Sequence, residues 1–162
     1  MDKKKNTSGI HLWLVLSKAF NALGAHAQKH IAELGLGLSD FAVLEALLHK
    51  GPLTIKELGE KVLLTSGSMT AAIDRLENRG LVERADDAAD RRVKVINLTS
   101  EGNLLIQKGF NDHRLVMEEA ASDLAEHDRA VLIDLLGQLG KSAEQRMKNS
   151  AAKSGRKSST EE

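Results

Sequence analysis

The sequence predicts a mostly α-helical protein with a small β wing near its middle. Three observations carry that reading. Aromatic residues make up 2% of the chain and there is one proline, whereas strand-rich folds favour aromatics and need turn residues. Apolar residues recur at three- and four-residue steps over most of the length, the period of an amphipathic helix. Only residues 81–98 break this period, with two short β-branched runs either side of a polar stretch.

The elements follow in order. Residues 1–8 are polar and lysine-rich, a frayed and disordered start. Residues 9–34 form a first helix, with Leu16, Phe20, Leu23, Ala27, Ile31 and Leu34 on one stripe, stopped by Gly35-Leu36-Gly37. Ser39 stands where an N-cap belongs, and the run from Phe41 to Leu48 makes a second helix that ends at Gly51-Pro52. Thr54-Ile55-Lys56-Glu57 is a capping box, with Leu53 and Leu58 at the staple positions, so a short third helix runs to about Val62. Leu63-Leu64-Thr65 is a tight connection. Thr65 or Ser66 caps a fourth helix that reaches about Asn78, and Gly80 closes it with a positive-φ residue.

Residues 81–84 and 93–98 read as two strands of a hairpin whose tip, 85–92, is long and charged. Thr99 caps a fifth helix over about 100–122. A sixth covers 126–147, with Leu132, Leu135, Leu136 and Leu139 as its stripe, and 148–162 is a disordered Ser/Lys/Ala tail. This divides the chain into a central unit at 39–98, two short helices and a hairpin, and a helical dimerisation region made of 9–38 and 99–147. Three amphipathic helices around one small domain leave more apolar surface than it can cover, and a second copy is the natural cover.

Composition narrows the function. There is no cysteine, which excludes disulfides, thiolate metal sites and cysteine nucleophiles. No stretch is long enough to span a membrane, and no signal-type apolar core follows the basic start, so a cytoplasmic protein is expected. Nothing points to an enzyme or a cofactor. Gly35-Leu36-Gly37 lacks a third glycine for a phosphate loop, and there is no nucleophile elbow or recognisable carboxylate pair. With only Trp13, Phe20, Phe41 and Phe110 as aromatics, a base-stacking RNA-binding sheet is not expected. Lys plus Arg and Asp plus Glu both number 23, so any basic surface must be local.

Two short helices joined by a tight turn and followed by a hairpin spell a winged helix-turn-helix. The second helix of such a pair enters the major groove by its N-terminal end, where small and hydrogen-bonding residues let the backbone approach. Thr65, Ser66, Gly67, Ser68 and Thr70 supply that end, and the helix N-terminus attracts a phosphate. Ile73 and Leu76 face the core, while Arg75 and Arg79 can reach the DNA backbone. On the wing, Arg91, Arg92 and Lys94 suit a narrow minor groove. Asp90 pairs an arginine, either Arg92 or Arg75, and fixes the wing.

The run LSDFAVLEALLHKGPLTIKELGEKVLLTSGSMTAAIDRLENRGLVER, followed by DRRVKVINLTSEG, resembles the MarR family of bacterial transcriptional regulators. The Asp-x-Arg of the wing (Asp90, Arg92) and the Leu98-Thr99-x-x-Gly102 downstream carry the resemblance, and SGSMT is similar to a subgroup that responds to quinones and phenols. The resemblance implies a homodimer on a pseudo-palindromic operator in double-stranded DNA, with residues 66–79 in the major groove and 85–94 in the minor groove. It implies repression relieved by a small aromatic or phenolic ligand, bound in a cleft lined by Trp13, Phe20, His30, Phe41, Leu44 and Phe110. One departure is plain: Ala71 and Ala72 stand where the family often carries arginine or asparagine. Alanine can meet a thymine methyl.

His26 and His30 form an H-x-x-x-H pair on the first helix, with His113 and His127 as conceivable partners. The pair lacks the third ligand a zinc site needs, and packing explains it better, so no metal is expected. The competing reading is a winged-helix adaptor for another protein, without specific DNA binding. It predicts binding that does not depend steeply on salt.

Overall fold

The computed structural model describes residues 6–62, 65–87 and 92–157, with Ser66 and 151–157 described by backbone alone. The elements run α1 (Gly9–Glu33), α2 (Leu38–Lys50), β1 (Leu53–Thr54), α3 (Ile55–Lys61), α4 (Ser66–Asn78), β2 (Val82–Asp86), β3 (Lys94–Leu98), α5 (Ser100–Ala120) and α6 (Glu126–Lys157). The predicted fold class holds: helices dominate, and a small antiparallel sheet forms the wing. The chain divides into two units at residue 120, the second holding α6.

In the first unit the core is aliphatic. Val43, Leu44 and Leu47 from α2, Leu58 from α3 and Met69, Ala72, Ile73 and Leu76 from α4 meet Leu81 and Ile96 of the wing and Ile106 of α5. Ile73 and Leu76 thus face inward as their spacing predicts. Leu53 and Leu58, the staple pair, are both buried.

The capping box is present in full. The Thr54 hydroxyl accepts from the Glu57 N–H at 3.2 Å, and the Glu57 carboxylate accepts from the Thr54 N–H at 2.8 Å. Thr65 is the cap of α4, its side chain accepting from the Ser68 N–H at 3.3 Å. At the other end Gly80 takes φ 68°. The Leu81 N–H then reaches back to the Leu76 carbonyl at 2.9 Å, a Schellman closure.

Three expectations change. Ser39 is not the N-cap of α2: Gly37 occupies that place without a side-chain bond, and the Ser39 hydroxyl is used elsewhere. The sheet has three strands in the order β1-β3-β2, because Leu53 and Thr54 pair with Ile96 and Val95. A two-residue strand has no sequence period to announce it. In the second unit, α6 continues through Lys157 where a disordered tail was expected from 148. Alanine and lysine sustain helical backbone without an apolar stripe.

The start of α5 explains the Leu-Thr-x-x-Gly run. The Thr99 hydroxyl donates to the Gly80 carbonyl at 2.7 Å and accepts from the Gly102 N–H at 3.0 Å. The Thr99 N–H donates to the Leu81 carbonyl at 3.1 Å. Gly102 passes so close to that carbonyl that a Cβ there would lie 1.9 Å from the Leu81 oxygen. Only glycine permits the approach that joins the end of α4, the wing and α5.

Candidate nucleic-acid interface

α4 is amphipathic in the sense a recognition helix requires. Met69, Ala72, Ile73 and Leu76 are buried, whereas Gly67, Ser68, Thr70, Ala71, Asp74 and Arg75 are exposed. Thr65 is exposed just before it, its hydroxyl donating to the Ser68 hydroxyl at 2.9 Å. The α4 candidates Thr65, Gly67, Ser68, Thr70 and Arg75 are therefore together on one outward surface. The Ser66 side chain lies outside the described residues.

Arg75 is held from α2. Its Nη2 donates to Asp40 Oδ1 at 2.6 Å and to the Ser39 hydroxyl at 3.1 Å, and its Nε faces Asp40 Oδ2 at 3.4 Å. Asp40 is buried at the first turn of α2, so it needs a partner, and a guanidinium fork supplies one. Arg79 Nη1 donates to the Gly35 carbonyl at 2.8 Å, tying the end of α4 to the α1–α2 corner. Arg84, which sequence reasoning passed over, bridges Asp74 and Glu77 of α4 from β2, its Nη2 lying 2.5 Å from Asp74 Oδ1. These partners are 7 to 44 residues apart in sequence, and no local pattern announces them.

On the wing, Lys94 is exposed and pairs with Asp86, the residue directly opposite it across the β2–β3 ladder. Arg92 is exposed. Asp90 and Arg91 lie outside the described residues.

The six residues expected around a ligand differ in their surroundings. Leu44 is fully buried in the core, and Trp13 and Phe20 are 63% and 74% exposed on α1. Phe41 and His30 do come together, through a residue named only as a conceivable metal partner. His113 of α5 packs on Phe41 with ring centroids 5.0 Å apart, and its Nδ1 lies 3.3 Å from His30 Nδ1, one nitrogen donating and the other accepting. Partial burial, and then His30, push the His113 imidazole below its ordinary value. Between the same two helices, His49 of α2 meets Phe110 of α5 edge to face at 4.7 Å, and His49 lines an open groove of about 520 Å³ with Ala42, Glu45, Ala46, Lys61 and Val62. His26 is exposed, and no group of three metal-ligating side chains converges among the described residues.

Residues 34–93 match the family model for the MarR family. The chain is 38% identical over 136 residues to the HTH-type transcriptional regulator MhqR of Bacillus subtilis, covering 84% of this chain and 94% of that one. The chain belongs to the MarR family. Among solved structures, a mutant MarR of E. coli complexed with operator DNA superposes with a TM-score of 0.73 at 22% identity, covering 80% of this chain and 94% of that one. Bordetella bronchiseptica BpsR, whose DNA binding is regulated by 6-hydroxynicotinic acid, gives 0.72 at 24% identity, covering 83% and 94%. MarR-family membership makes the helix-turn-helix and wing those of a transcriptional regulator. No described helix is long and apolar enough to cross a membrane.

Proposed function

We propose that the protein is a sequence-specific DNA-binding transcriptional regulator that works in the cytoplasm as a homodimeric repressor and is released by a small hydroxylated aromatic ligand. The observation that carries the DNA-binding part is the sorting of α4. Its N-terminal turn offers glycine, hydroxyls and a methyl outward, while four apolar side chains anchor it from behind. The wing then brings Arg92 and Lys94 toward a flanking minor groove.

Dimerisation rests on exposed apolar residues of α1 and α6. Ile10, Trp13, Leu14 and Phe20 on α1 are at least half exposed, and on α6 Ile133 and Leu135 are as well. A regulator with two such stripes gains a partner and a two-fold operator at once. The ligand class rests on the Phe41–His113–His30 cluster. Its rings offer stacking, and its imidazoles offer a hydrogen bond to a phenolic hydroxyl.

A salt titration tests the reading. The full chain is titrated with the duplex upstream of its own gene and with a random duplex of equal length. Tighter binding to the former, falling steeply as salt rises, is the expected result. Equal, salt-insensitive binding to both overturns it in favour of a protein adaptor. Addition of 6-hydroxynicotinic acid or catechol should then release the upstream duplex, and His113→Ala should blunt that release.

A further inference from the structure

Reading guanine with arginine needs a guanidinium free to address O6 and N7 in the major groove. α4 and the strand beside it carry Arg75, Arg79 and Arg84, and each is engaged inside the protein. Asp40 and Ser39 hold Arg75. The Asp40 carboxylate is buried, so turning Arg75 out to a base would strand a charge in the interior. Arg79 is spent on the Gly35 carbonyl at the C-terminal end of α4, away from the turn that enters the groove. Arg84 is clamped between Asp74 and Glu77.

The remaining outward surface near the N-terminus of α4 is small and nearly neutral. Gly67 has open space where a Cβ would sit, so backbone can come close to DNA. Ser68 and Thr70 bring hydroxyls, which suit any base. The two alanines differ in role: Ala72 is fully buried, whereas Ala71 is exposed. Ala71 stands one turn on from Gly67 and Ser68, on the same face. Its methyl is an apolar contact with no hydrogen-bonding preference, and the one apolar feature a base pair shows in the major groove is the thymine C5-methyl.

We propose that the recognition helix reads thymine through the Ala71 methyl, within an A·T-rich half-site, in place of guanine through arginine. Ala71 is the specificity-determining residue, and the Asp40–Arg75 and Arg84 clamps are what leave it that role. The inference rests on the specific DNA binding proposed above.

Atomic substitution in the DNA tests it. The full-length protein selects its preferred duplex from a randomised pool, and each thymine is then replaced singly by deoxyuridine. That change deletes the methyl and leaves every base-pair hydrogen bond in place. One thymine in the half-site should lose about fourfold in affinity, the worth of one buried methyl-sized group. The same replacement should be silent for Ala71→Gly. Both duplexes are compared on the same variant, so any weakening from glycine in the helix cancels. A consensus with no methyl-sensitive thymine overturns the inference alone. So does sensitivity that persists in Ala71→Gly, or a required guanine whose preference vanishes in Arg75→Ala. A pool that yields no consensus overturns it together with specific DNA binding.

Discussion

Gly102→Ala is the substitution that most directly tests how the first unit is held together. On helix propensity alone it should stabilise α5 by about 1 kcal/mol. The geometry reverses the sign. The new Cβ would lie 1.9 Å from the Leu81 carbonyl oxygen and 2.8 Å from its carbon. A carbon and a carbonyl oxygen settle near 3.3 Å, so the start of α5 must retreat by roughly 1.4 Å. The obstacle is backbone, which cannot rotate aside as a side chain would. Retreat stretches the Thr99 bonds to the Gly80 and Leu81 carbonyls and opens a gap beside Leu81 and Ile106, both now buried.

Overpacking costs about 1–3 kcal/mol, and each hydrogen bond lost adds about 1. After the propensity gain the net loss is about 2–4 kcal/mol. At about 2–4 °C per kcal/mol for a chain of this size, the melting temperature should fall by roughly 4–16 °C. Thermal and urea unfolding followed by circular dichroism measure it. Gly59→Ala is the control: Gly59 lies in α3 with nothing within 4 Å of its Cβ position, and this change should be neutral or slightly stabilising. If both variants unfold alike, the close approach at Gly102 is not what fixes α5, and the reasoning fails.

Three further outcomes follow from the same geometry. Arg75→Ala strands the buried Asp40 carboxylate and should cost about 2–3 kcal/mol in urea unfolding, whereas Asp40→Asn leaves a half-exposed guanidinium to water and should cost about 1; equal losses would show that burial of Asp40 is not decisive. His113 is held below its usual value near 6.5, so as pH falls through that value the unfolded chain takes up a proton that the folded chain resists. Stability should therefore decline as pH falls through about 6.5, and His113→Phe should flatten that slope; an unchanged slope in the variant would refute the assignment. Arg92→Ala should weaken operator binding by about 1–3 kcal/mol in fluorescence anisotropy, and unchanged affinity would remove the wing from the interface.

What could be read from the sequence was what is local. The Thr54–Glu57 box, the Thr65 cap and the Gly80 closure each span a few residues, and each was found where the spacing placed it. The burial of Ile73 and Leu76 followed from helical period alone. What could not be read depends on residues distant in sequence. Asp40 and Arg75 are 35 positions apart, and a lone Asp beside Ser39 looks like ordinary capping chemistry until the fold buries it. His30 and His113 are 83 apart, so the i, i+4 pairing of His26 with His30 drew attention to the wrong partner. The two alanines at 71–72 are identical in sequence, and only the packing of α4 tells one from the other.

Thr54 belongs to two elements at once. It is the last residue of β1, paired with Val95 of the wing, and it is also the cap that starts α3. The base of the wing cannot separate from the sheet without also uncapping the first helix of the helix-turn-helix. Local opening here is therefore a single cooperative event, and amide exchange should show β3 and the first turn of α3 protected to the same degree. A surface built this way meets DNA already ordered at its base, so little of its binding free energy is diverted into folding the reader.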